Sequence, residues 1–236
     1  MSLLVIIQDA CDRIGLPRPT VVIGSSDTQI RQLLGLAQQE GKELARRGPW
    51  QELTKEKTFT ATATETQSGA IPSDFDRLVE GTFWNRSQDR RVVGPLTPQR
   101  WQALKTGLYS LVWDAFRIRG GDILMTPAPT AGDTLAFEYI TTHWLTSADG
   151  SIHRASWTAD DDVGLLDEEL MTLGIIWRFR KAKGLDYSEE YRSYEQRVER
   201  KLSNDGGMGI LDLNGDRMDG GGGTYDPFVP EGNWDL

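Results

Sequence analysis

Three stretches of this chain, residues 27–50, 160–184 and 187–202, repeat their apolar side chains at helical spacing, and the block between the first two alternates instead. A period near 3.6 buries one stripe of a helix; a period of two buries one face of a strand. The chain is therefore expected to be α+β: mainly a helical bundle, an inserted β-rich region at about 57–145, and an extended C-terminal arm. The expected domain is 1–204, with residues 205–236 as the arm.

A short amphipathic helix over residues 3–14 should end at Gly15, because Pro17 and Pro19 prevent its continuation. Ser26 is placed to cap the next helix, with Gln29 completing a capping box. Ile30, Leu33, Leu34, Ala37, Gly41, Leu44 and Ala45 form its stripe, and Gly48-Pro49 stops it. Strands are expected at 57–65, in part of 75–84, and at 91–93, 111–119, 123–126 and 134–141, with Gly120-Gly121-Asp122 turning a hairpin. Thr97-Pro98 opens a short helix carrying Trp101 and Leu104.

The acids at 160–162 and 167–169 read as a helix start, and Arg178, Arg180, Lys181 and Lys183 as its end, the charge order that the helix dipole favours. Leu166, Leu170, Leu173 and Trp177 share a face that Ile176 and Phe179 widen, so this helix should be contacted on two sides. Tyr187, Tyr191, Tyr194, Val198 and Leu202 make a narrow seam on the last helix, and the Leu185-Asp186 link implies an antiparallel hairpin.

Chemistry-bearing constellations are scarce. Cys11 is the one cysteine, so no intramolecular disulfide forms, and its place beside Leu4, Ile7 and Ile14 suits a buried small hydrophobe. His143 and His153 have neither zinc nor triad spacing. Asp212-x-Asn214-x-Asp216 starts like a calcium loop but meets Arg217 where glycine belongs and Gly223 where a bidentate glutamate belongs. The Asp160–Asp162 run could hold a hard cation, though a helix start explains it more simply. Trp101, Trp113, Trp144 and Trp157 are expected in the core. No cofactor, metal or membrane span is expected.

Net charge is −9, and the seven acids and one arginine past residue 203 hold −6 of it. Nonspecific grip on DNA needs excess Lys and Arg, so a DNA-coating role is disfavoured, while a channel that DNA slides through without adhering is compatible. Acids of the body are then expected to face such a channel. The arm is rich in glycine yet carries Ile210, Leu211, Leu213, Tyr225, Phe228, Val229 and Trp234, a pattern of spaced anchors that order on a partner.

Several phrases, in this order, resemble the head-to-tail adaptor proteins (head-completion, packaged-DNA-stabilising) of short-tailed bacteriophages. They are Leu36-Ala37-Gln38-Gln39-Glu40-Gly41, Leu44-Ala45-Arg46-Arg47-Gly48 with Trp50, and Pro72-x-Asp74-Phe75-Asp76-Arg77. Gly94-Pro95-Leu96 with Trp101 and Phe116-Arg117-Ile118-Arg119-Gly120 follow, then Leu173-Gly174-x-x-Trp177-Arg178, Lys183-Gly184-Leu185-Asp186-Tyr187 and Tyr194-Glu195. The likeness covers residues 25–205. It implies a non-enzymatic virion protein, made in the host cytoplasm, that forms a ring of twelve copies between the portal protein and the tail or nozzle protein and helps retain packaged double-stranded DNA. Trp177, Tyr187, Tyr191, Tyr194, Val198, Tyr225, Phe228 and Trp234 are the interface candidates. Another neck or tail-tube component, or a carboxylate-dependent cell-wall hydrolase, are the alternatives.

Overall fold

The computed structural model describes residues 2–106 and 113–206. Two helices open the chain: α1, Leu3–Ile14, and α2, Thr28–Arg46. After a 3-10 turn at Gln51–Leu53, eleven strands and one α-helix follow among the described residues: β1 Thr54–Thr60, β2 Thr66–Gln67, β3 Phe75–Leu78, β4 Trp84–Asn85, β5 Arg90–Arg91, α3 Pro98–Lys105, β6 Ala115–Arg119, β7 Asp122–Thr126, β8 Thr134–Thr141, β9 Leu145–Thr146, β10 His153–Arg154 and β11 Val163–Gly164. The hairpin α4, Glu168–Ala182, and α5, Ser188–Asp205, closes the described chain.

The expectation of a mainly helical bundle is overturned. Five helices share the molecule with three antiparallel sheets, at about 38% helix and 22% strand. The physical reason is that the middle of the chain builds a core of its own. Phe83 packs on Phe116 and Phe137 with ring centroids 4.7 and 5.5 Å away, Phe59 meets Phe137 at 6.2 Å, and Ile123, Met125 and Leu135 close the cluster. A core containing several fully buried aromatics is self-sustaining rather than an appendage, since each such side chain contributes about 1.5–3 kcal/mol on burial. The helical core is a second cluster, built from Leu3, Ile7, Leu33, Leu44, Trp50, Trp144, Leu170, Ile175 and Val198 among others.

Strand β8 organises the largest sheet. It pairs antiparallel with β1 on one side, from Thr54↔Ile140 to Thr60↔Thr134, and with β3 and β4 on the other. Strands β2, β7 and β6 form the second sheet, and the β6–β7 hairpin turns at Gly120-Gly121, both at positive φ, as the sequence pattern requires. Strands β10, β9 and β11 make the third. The strand-rich part therefore runs past residue 145 to Gly164, and the first strand begins at Thr54 and ends at Thr60 rather than spanning 57–65.

Two helix starts also differ from expectation. Asp27, not Ser26, caps α2, its Oδ1 accepting from the Gln29 and Ile30 amides. Helix α4 begins only at Glu168, capped by Asp167. The acids at 160–162 lie in a turn outside it. The Asp160 carboxylate accepts the Val22 and Ile23 amides, and Asp162 accepts the Thr158 and Ala159 amides and pairs with Arg154 at 2.5 Å. Their backbone carbonyls take the Leu4 and Leu3 amides. That last pair satisfies two orphan donors of α1, whose own Ser2 gives no side-chain cap. Asp160 and Asp162 thus clamp the N-terminal segment, and the acids at 160–162 do not start a helix.

Candidate functional site

Helix α2 carries a glutamate inside its apolar stripe. Glu40 sits between Ala37 and Leu44 on the buried face and is fully covered. The covering helices supply its partners. Arg178 of α4 donates Nε to Glu40 Oε2 at 2.7 Å and Nη2 to Glu43 Oε2 at 2.8 Å. Tyr194 of α5 donates its hydroxyl to Glu40 Oε1 at 2.5 Å. Room for the carboxylate comes from Gly174: a Cβ there would lie 2.1 Å from Glu40 Cδ. Burial pushes the Glu40 carboxyl up, with Arg178 and the Tyr194 hydroxyl pulling the other way. Burial and the adjacent Glu40 push the Tyr194 phenol up, so it stays a donor. The group joins three helices at one point, with both Glu40 oxygens occupied.

Around this joint a row of partly exposed ion pairs also holds α5. Arg47, just past the end of α2, makes a two-pronged pair with Glu195 at 2.6 and 2.5 Å, Lys201 reaches Asp167 at 3.0 Å, Arg197 pairs with Glu169, and Arg180 pairs with Glu190 at 2.7 Å. Tyr194 and Val198 are its buried residues.

The aromatic seam is accordingly spent inside the molecule. Trp177 is 6% exposed, with ring centroids 6.2, 5.0 and 6.1 Å from Tyr187, Tyr191 and Tyr194, and Arg178 lies over its face at 4.3 Å. Tyr194 and Val198 are covered by their own chain. Trp177, Tyr194 and Val198 therefore act as internal packing, since a side chain already enclosed has no surface to offer another molecule. Tyr187 is half-buried, and Tyr191, 40% exposed, still presents an edge. Tyr225, Phe228 and Trp234 lie outside the described residues, as does the Asp212–Asp216 pattern. Of the four tryptophans expected in the core, Trp101, Trp144 and Trp157 are buried, whereas Trp113 is 58% exposed.

A second polar group, not foreseen from sequence, gathers at the β1–β8 end. Asp74 accepts from Lys55 Nζ at 3.1 Å, Tyr139 Oη at 3.0 Å and Thr141 Oγ1 at 2.7 Å. Burial alone would raise Asp74, but the bonds from Thr141, Lys55 and Tyr139 outweigh it and hold the carboxyl below its usual range. Burial together with Lys55 and His143 pushes His153 down, so the two histidines, separated in sequence, lie within electrostatic reach of each other. Among the described residues no group of three or more His, Cys, Asp and Glu is arranged to hold a metal, and no helix is long and apolar enough to cross a membrane. Cys11 is buried, which pushes its thiol up and suits a packing role.

The signal for Glu40 was present in the sequence: a carboxylate falling in the register of an apolar stripe is a buried charge awaiting a partner. The identity of that partner was not, because Arg178 and Tyr194 are distant in sequence. No protein-family model matches this chain, and no curated protein matches it either.

Proposed function

We propose that this chain is a structural connector of a short-tailed phage virion, a head-to-tail adaptor that assembles as a ring between portal and tail and lets packaged DNA pass without holding it. One observation carries the preference for a scaffold over an enzyme. The buried carboxylates of the described residues, Glu40, Asp133 and Asp162, are each bonded by groups of their own fold; Asp133 takes Asn85 Nδ2 at 2.8 Å. A glycosidase needs a carboxyl kept protonated beside a second one across a cleft. The acids that do face each other on neighbouring strands, Glu56 and Glu138, are exposed, and the bond from Arg86 holds Glu56 below its usual range. That is the wrong direction for a general acid.

The resemblance in the order of the helical and strand phrases supports the adaptor reading, as does the end of the α4–α5 hairpin, where Leu185 is 56% exposed. Mixing the purified chain with portal rings and imaging the product tests it. A ring of this chain seated on the portal is expected. A chain that stays off every portal and tail partner while clearing peptidoglycan in a zymogram overturns it.

A further inference from the structure

One face of the largest sheet is covered at one end and open at the other. Ile140, Glu138 and Ala136 share that face of β8, in a strand whose side chains alternate. Ile140 lies in the helical core, whereas Glu138 is exposed, directly opposite the exposed Glu56 of β1. Trp84 stands opposite Ala136 and is 39% exposed. Glu56, Trp84, Ala136 and Glu138, with Gly81, Thr82, Arg86 and Asp89, line a groove of about 470 Å³. Arg86 pairs with Glu56 at 2.9 Å, and neither Glu138 nor Asp89 has a cationic partner among the described residues. The groove thus combines an indole face with three carboxylates set against Arg86, while Arg91, opposite Trp84 on β5, reaches its edge at Gly81.

The far end of the α4–α5 hairpin has the opposite character. Lys181 and Lys183 are exposed and rest over the rings of Trp177 and Phe179 at 5.7 and 5.1 Å, with no carboxylate partner among the described residues. The nearby ions are already engaged: Arg180 pairs with Glu190, and Asp186 accepts from the Ser188 amide and hydroxyl. Leu185, in the link between the two helices, is 56% exposed.

Resting on the ring reading above, we propose that these two surfaces are the two halves of one heterologous contact. The tip bearing Lys181, Lys183 and Leu185 docks into the Glu56–Trp84–Glu138 groove of the next copy. Leu185 gains the indole of Trp84, and the two ammonium groups approach the facing carboxylates. Two different patches on one protomer give a head-to-tail contact, which closes into a ring when the rotation between copies allows it.

Charge reversal tests this. E138K reverses an exposed carboxylate that has no cationic partner among the described residues and leaves the Arg86–Glu56 pair in place, and K181E/K183E alters exposed positions, so both variants keep the fold, as a melting curve checks. In sedimentation velocity each alone should associate at least about tenfold more weakly than the unmodified chain, because like charges then meet across the contact. An equimolar mixture should recover association with the two variants alternating, since each then meets its complement. Separately, W84C and L185C in two differently tagged copies should form an intermolecular disulfide. Unchanged association of either variant, failure of the mixture to recover, or no disulfide between the W84C and L185C copies overturns the contact. If rings still form on the portal in those cases, the adaptor reading stands without this interface. If the contact is found but no portal is bound, the adaptor reading falls and the contact stands.

Discussion

At the scale of single residues, two close approaches decide how α2 and α4 lie. A Cβ on Gly41 would fall 2.1 Å from the Trp144 ring, and one on Gly174 the same distance from Glu40 Cδ. A carboxyl at the end of a side chain ordinarily swings aside, but this one is pinned by Arg178 and Tyr194. Gly35, on the same helix as Gly41, meets nothing within 4 Å. Gly35→Ala should therefore stabilise the protein by about 0.5–1 kcal/mol through helix propensity, while Gly41→Ala destabilises it by about 1–3 kcal/mol through overpacking. Urea unfolding of the two variants reads the opposite signs. Arg178→Met strands a buried Glu40 and should cost about 3–5 kcal/mol, whereas Glu40→Leu combined with Arg178→Met should cost less, because no uncompensated charge remains. A double variant as unstable as the single one would show that the pair itself, not the stranded charge, holds the joint.

At the scale of elements, α5 stands apart from α1, α2 and α4. Besides two buried side chains it carries a row of partly exposed ion pairs, and such pairs weaken with salt where apolar burial does not. Hydrogen exchange in about 1 M salt should loosen residues 188–205 before it loosens α2 or α4. Acid should do the same by a second route. The two-pronged bond from Arg47 holds Glu195 below its ordinary value of 4.5; for Asp167 burial works upward, but Lys201 and the Leu170 amide hold it below 3.8. Folded values that are depressed contribute stability above the unfolded ones and lose it as pH falls through the folded ones. The α5 amides should therefore lose protection below pH 4.5, with no comparable change at the milder acidities above it. Protection in α5 that follows α4 throughout both series would mean that the hairpin opens only as one unit.

At the scale of the whole molecule, the adaptor reading predicts an assembly that ignores DNA. With a net charge of −9, the chain should not retain duplex DNA at physiological salt, alone or as a ring. Retention in a gel-shift assay that fades as salt rises would show phosphate contacts and contradict a passive channel. Much of the architecture was written in local pattern. Helix α1 with its Gly15 stop, the α2 stripe, the Thr97-Pro98 helix start, the Gly120-Gly121 hairpin, β8 and the α4–α5 hairpin all follow from neighbours within a few positions, because period, caps and turns are local physics. What the tertiary structure alone decided are the pairings that close long loops. It gave the acids at 160–162 to the α1 and Val22 amides, Arg178 and Tyr194 to Glu40, and the seam tyrosines to Trp177 rather than to a partner. It also gave the middle strands a core of their own, so that the α+β molecule is not mainly a helical bundle. A charge or an aromatic ring announces in sequence that it needs company, but which company it finds depends on the distances that only the folded chain sets.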